Sequence, residues 1–198
     1  MVPVTLAALR GEMELGFLAA GPRPWPAPRA VFERPADEEY SRCLHPEKYV
    51  ITQQRATAWA SELVTAGVAT TTSLGPRQLA PWGAVVTTSI VSTHKDAEPV
   101  FVHFTHQHLP GVVVGYGSPQ VVLIALPVCG CDACDDGSDV LIEAIDEAFE
   151  SVILGEVLIE HDDHRTRIVT RNSMSTSTSD IGASTWVPGR WSGAAWLD

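Results

Sequence analysis

The stretch Gly111-Val112-Val113-Val114-Gly115-Tyr116-Gly117-Ser118-Pro119-Gln120-Val121-Val122-Leu123-Ile124-Ala125-Leu126 decides the fold. Two runs rich in β-branched residues flank Gly117-Ser118-Pro119, a short turn, so 111–116 and 120–126 pair as a hairpin. So short a link makes the two strands antiparallel, because parallel pairing needs a long crossover. Val121 to Leu126 is apolar on both faces, which marks a central strand.

Upstream, residues 68–74, 84–91 and 99–105 share that Val/Ile/Thr/Phe content, and Gly or Pro punctuates the gaps. Before them the period changes to that of a helix, with Thr52, Ala56, Trp59, Ala60 and Leu63 on one face and Gly67 as the stop. Downstream, a second helix spans about Ser138 to Ile153. Leu141, Ile145, Ala148, Phe149 and Val152 form its apolar stripe, while Glu143, Asp146, Glu147 and Glu150 are expected to face water. Residues 156–160 and 165–171 add a further hairpin. Strand runs flanked by helices imply an α+β fold, a mainly antiparallel sheet of about five to seven strands with two principal helices on one face.

Residues 1–35 read as a proline-rich N-terminal arm, and 36–198 as a single α+β domain. Gly21-Pro22-Arg23-Pro24-Trp25-Pro26-Ala27-Pro28 is polyproline-like, because proline fixes its own φ and pushes its predecessor toward extended geometry. Its expected use is a stiff arm lying along the domain. Pro35 with Asp37, Glu38 and Glu39 suits a helix start.

The chain has 198 residues and a formal net charge of −11 at pH 7. That balance disfavours phosphate backbones and anionic lipid surfaces, so nucleic-acid and membrane partners are not expected. No apolar run reaches the roughly 18 residues that a spanning helix requires, and no secretory signal is read. A cytoplasmic, reducing location follows as the expectation. The cationic residues are arginines except for Lys48 and Lys95, the bias of a GC-rich bacterial genome.

The chemistry-bearing motif is Cys129-Gly130-Cys131-Asp132-Ala133-Cys134, in the loop between the central strand and the second helix. A tight loop can turn three thiolates toward one tetrahedral zinc, with a fourth ligand or a water completing the site. Candidates for that ligand are His161 or His164, Cys43 or His45, and the group His103, His106 and His108. Cys131-Asp132-Ala133-Cys134 is also a Cys-x-x-Cys redox pattern. Its carboxylates Asp132, Asp135 and Asp136 should raise thiol pKa values, which argues against a reactive thiolate. Three soft side chains simply filling a tight loop is the plain alternative. His103 alternates with Val102 and Phe104, so it is expected on the opposite strand face, exposed to solvent. The tail tryptophans Trp186, Trp191 and Trp196 are expected to pack onto the sheet. Nucleophile elbows, phosphate loops and dinucleotide fingerprints are absent from the sequence.

Pro127-Val128-Cys129-Gly130-Cys131-Asp132-Ala133-Cys134-Asp135 resembles an uncharacterised bacterial family, domain of unknown function 6226. Tyr40-Ser41-Arg42, His45-Pro46-Glu47-Lys48-Tyr49, Leu109-Pro110-Gly111-Val112-Val113-Val114 and the tryptophan-bearing tail extend the resemblance over about residues 37 to 198. Cys43 falls where the family is expected to carry other residues, which counts against it as a fourth ligand. The resemblance implies a recurring domain and no mechanism. The function expected is a non-enzymatic or accessory binding domain with a protein partner and a structural cysteine loop able to hold zinc. The alternative is a metal-dependent hydrolase or thiol oxidoreductase using Cys129, Cys131 and Cys134.

Overall fold

The computed structural model describes residues 3–30, 32–106, 109–118, 120–162, 165–177 and 188–197. Strands β1 (Ala69–Leu79), β2 (Gly83–Ser92), β3 (Val100–Thr105), β4 (Gly111–Tyr116) and β5 (Val121–Leu126) form a sheet in sequence order. Every neighbouring pair is antiparallel, as short links require. The hairpin that opened the sequence argument is β4–β5, in which Val112 faces Leu126 and Val114 faces Ile124. A second sheet has the order β8 (Met174–Ser177), β7 (Thr166–Val169), β6 (Leu158–His161), β9 (Gly189–Trp191). β6 and β7 are the expected downstream hairpin, and β8 and β9 extend it on either side.

Helices α2 (Val50–Thr65) and α3 (Ser138–Ile153) lie where periodicity places them. Trp59 of α2 stacks on Phe149 of α3, with ring centroids 5.7 Å apart. The α3 stripe is buried as expected at Ile145, Ala148, Phe149 and Val152. Pro35 and the acidic residues after it open only a single 3-10 turn at Asp37–Ser41.

One helix joins the expected pair. α1 (Leu6–Ala19) begins with Thr5 as its cap, whose hydroxyl accepts from Ala8 N–H at 3.2 Å. Leu9, Met13 and Phe17 recur every fourth residue, and all three are buried in the common core. The polar residues that break up its hydropathy are partners of other helices. Glu14 pairs with Arg55, and Arg10 lies 3.1 Å from Glu150.

Two expectations about charge and exposure are corrected here. Asp146 does not face water: it is 4% exposed, and Arg55, at 2%, holds both its oxygens at 2.7 and 2.6 Å. Trp59 Nε1 donates to the same carboxylate at 2.8 Å, and Arg55 lies 4.7 Å from the Phe17 ring centroid. A buried carboxylate is stable only when matched in this way. His103 does sit on the sheet face opposite Val102, but it is buried, not exposed. Its Nδ1 shares a 2.9 Å hydrogen bond with Thr87 Oγ1, and Gln120 Nε2 lies 2.6 Å from its Nε2.

Of the tail tryptophans, Trp196 enters the core and Trp191 lies on β9. Trp186 and the rest of 178–187 fall outside the described residues. Among the described residues no helix is long and apolar enough to cross a membrane.

Candidate metal centre

β5 ends at Leu126, the Leu126–Pro127 peptide bond is cis, and the chain then forms an open loop that reaches α3 at Ser138. Within it, Asp132–Cys134 makes one 3-10 turn. This turn aims three thiols at a common point: the Cys129, Cys131 and Cys134 Sγ atoms all lie within 4.8 Å of one another. The Cys129 and Cys131 sulfurs are 3.4 Å apart. Cys129 and Cys134 are exposed, and Cys131 is half-buried.

These spacings fit a zinc ion. Zinc–thiolate bonds of about 2.3 Å in a tetrahedron place sulfurs about 3.8 Å apart, inside the range observed. Three soft sulfurs also favour zinc over hard cations, which take oxygen.

The loop is held by residues that lie far away in sequence. Arg29 donates to the Asp132 and Ala133 carbonyls at 3.1 and 2.6 Å. Arg42 Nε donates to Asp132 Oδ2 at 3.0 Å, Leu44 N–H to Asp132 Oδ1 at 3.1 Å, and Asp132 N–H to the Arg42 carbonyl at 2.9 Å. Asp135 is shared by Lys48 and by Trp25 Nε1, the latter at 2.8 Å. At the start of α3 the Ser138 N–H donates to the Trp25 carbonyl at 3.0 Å, and the Trp25 N–H donates to Ser138 Oγ at 3.1 Å. Trp25 of the proline-rich segment is therefore docked against the loop and the start of α3. Gly137 is what lets it approach. Its φ is +87°, and a Cβ there would stand 2.7 Å from the Ala27 nitrogen.

The carboxylates are spent on these contacts. The Leu44 N–H and Arg42 hold Asp132 below the usual carboxylate range. Burial raises Asp135, but Lys48, Trp25 and Gly137 outweigh it and bring it low. The thiols divide. Hydrogen bonds to Cys129 and Cys131 push Cys134 up to about 12. Cys131 moves the other way: slight burial raises it, and hydrogen bonds from Cys134 and Cys129 prevail and lower it. That lowering runs against the expectation from the acidic sequence, because hydrogen bonds from the neighbouring thiols and from the Cys134 and Ala133 backbone favour the Cys131 thiolate.

The remaining candidates have their own places. His161 ends β6, where its Nδ1 and Thr166 Oγ1 share a 2.9 Å hydrogen bond. α3, about 24 Å long at 1.5 Å per residue, separates the loop from the chain leading into β6. His164 and His108 lie outside the described residues. His45 is exposed beside Glu47, and His106 is also exposed. Among the described residues no histidine joins the thiol group.

Apolar surface surrounds the loop. Val128 is 91% exposed, Val140 52% and Phe32 99%. A cleft of about 290 Å³ runs from Tyr49 past Cys129 and Cys134 to Val140 and Leu141. Spacing alone does not assign a supporting role to Trp25, Arg29, Arg42 and Lys48, which approach the loop from 87 to 110 positions away.

The chain belongs to the family of unknown function DUF6226, whose profile matches residues 15–196. This is the family expected from the sequence, and the match begins within α1 instead of at residue 37. No curated protein and no solved structure matches the chain.

Proposed function

We propose that this member of DUF6226 is an accessory, non-enzymatic binding domain whose loop holds one zinc ion through Cys129, Cys131 and Cys134. The observation that carries this reading is the convergence of three thiol sulfurs within 4.8 Å on a braced loop. Zinc bound there displaces the thiol protons and cross-links the β5–α3 connection to itself. The exposed Val128, Val140 and Phe32 around the loop support a protein partner, since clustered apolar surface favours association. A helix that begins only at Ser138, beyond both thiols, keeps its N-terminal dipole away from Cys131 and speaks against thiol oxidoreductase chemistry at Cys131-x-x-Cys134.

The exposure of Cys129 and Cys134 favours one other reading, a metal-dependent hydrolase with water at an open zinc position. Cys131→Ser tests the leading proposal. Zinc content and melting temperature should fall together, and a variant that retains both would refute zinc ligation. Zinc-dependent hydrolysis of activated esters by the wild type would favour the enzyme.

A further inference from the structure

We infer that Cys43 is the fourth ligand, which would make the centre a closed four-thiolate site. This rests on the zinc reading above and goes beyond it by deciding between a structural and an open centre. The Asp132 N–H donates to the carbonyl of Arg42 at 2.9 Å, and Leu44 N–H donates to Asp132 Oδ1 at 3.1 Å. Cys43 is the single residue between those two anchored groups. Its backbone is thereby clamped against the very turn that carries the other thiols. Adding the carbonyl-to-next-Cα distance to the first bond places the Cys43 Cα within about 6 Å of the Asp132 nitrogen. Cys131 is the residue preceding that nitrogen.

The Cys43 side chain is half-buried, and its sulfur stands outside the group of three. A χ1 change between staggered wells moves a cysteine sulfur by about 3 Å, so the backbone clamp leaves the Cys43 sulfur free to swing toward the group. Among the described residues the candidate histidines compete poorly: His161 is bonded to Thr166 in the second sheet, and His45 is exposed beside Glu47. Four thiolates on zinc carry a net negative charge; Arg29, Arg42 and Lys48 stand at the loop, and their pairing with Glu39, Asp132 and Asp135 keeps those carboxylates from facing the thiols uncompensated. The resemblance read from sequence counts against Cys43; the two-sided clamp on Asp132 counts for it. A site closed by four thiolates has no place for an activated water, so the centre is structural and not hydrolytic.

The test uses full-length protein purified without a metal-affinity step. Cobalt(II) substituted for zinc gives a thiolate charge-transfer band whose intensity scales with the number of bound sulfurs. Cys43→Ser should lose about a quarter of that intensity and bind zinc at least about tenfold more weakly in chelator competition. Cys43→His should restore most of the zinc affinity, and His161→Ala should change neither readout. Should Cys43→Ser fail to fold, alkylation mapping of the wild type replaces it: zinc should protect Cys43 together with the three loop cysteines, and a chelator should expose all four. Full cobalt intensity and affinity in Cys43→Ser, or a Cys43 that alkylates freely in the zinc-loaded protein, overturns the assignment while leaving the three-thiol centre standing. A wild type that takes up no metal overturns both.

Discussion

Two clusters of charge hold this molecule together, and they do so in opposite ways. In the helix layer, Arg55 and Asp146 are 2% and 4% exposed, doubly hydrogen-bonded, and joined by Glu14 from α1 and Trp59 from α2. At the cysteine loop, Arg29, Arg42 and Lys48 work nearer the surface: Arg29 donates to two backbone carbonyls of the loop, and Arg42 and Lys48 hold its carboxylates Asp132 and Asp135. The first cluster satisfies its own charges and fixes three helices to each other. The second fixes a piece of backbone, and what that backbone presents is thiols. Burial decides the energetics: the inner pair is costly to break, and the outer contacts are individually weak and collectively orienting.

The contrast can be broken most forcefully at Asp146. Asp146→Ala strands a buried guanidinium and should cost about 3–5 kcal/mol in denaturant unfolding, with metal content unchanged in whatever fraction stays folded. A loss below about 1 kcal/mol would show the inner pair to be no keystone. Next is the metal: zinc at about a hundredfold excess over its Kd should add about 2.7 kcal/mol, seen as a melting temperature that falls with chelator. Trp25→Ala should follow, at about 2 kcal/mol for a half-buried indole that bridges the arm to Asp135. Hydrogen exchange at the start of α3 should then rise, while α2 keeps its protection. If the arm is only laid on the surface, neither site will change.

The smallest effect is in pH. Burial holds the His103 pKa below its ordinary value, with Arg77 adding to that and Gln120 opposing. The unfolded chain therefore takes up this proton first on acidification. His103's contribution is intact above about pH 6.5 and diminishes as pH falls toward the folded value. Asp135, whose folded pKa is depressed, loses its contribution only in the more acidic range below the ordinary carboxylate pKa. His103→Gln should flatten the dependence of the urea midpoint between about pH 7 and 5.5. An unchanged slope would locate the proton uptake elsewhere.

Much of this architecture was legible in the sequence. Short Gly/Pro links with β-branched runs gave the antiparallel sheet, and α3 matched its apolar stripe from Ser138 to Ile153. The illegible parts share a cause: a polar residue whose partner is remote. Asp146 looks solvent-facing until Arg55, 91 positions away, is placed beside it. α1 hides behind Arg10 and Glu14 for the same reason, although Leu9, Met13 and Phe17 keep a four-residue spacing. His103 passes for exposed until Thr87 and Gln120 supply its hydrogen bonds. At the centre, spacing alone announced three neighbouring thiols, while the clamp that orients them belongs to the tertiary fold.

Elemental analysis of wild-type protein purified without a metal-affinity step decides whether those thiols hold zinc. About one equivalent of zinc per chain is expected. Less than about a tenth of an equivalent, in protein that folds and melts cooperatively, would contradict it.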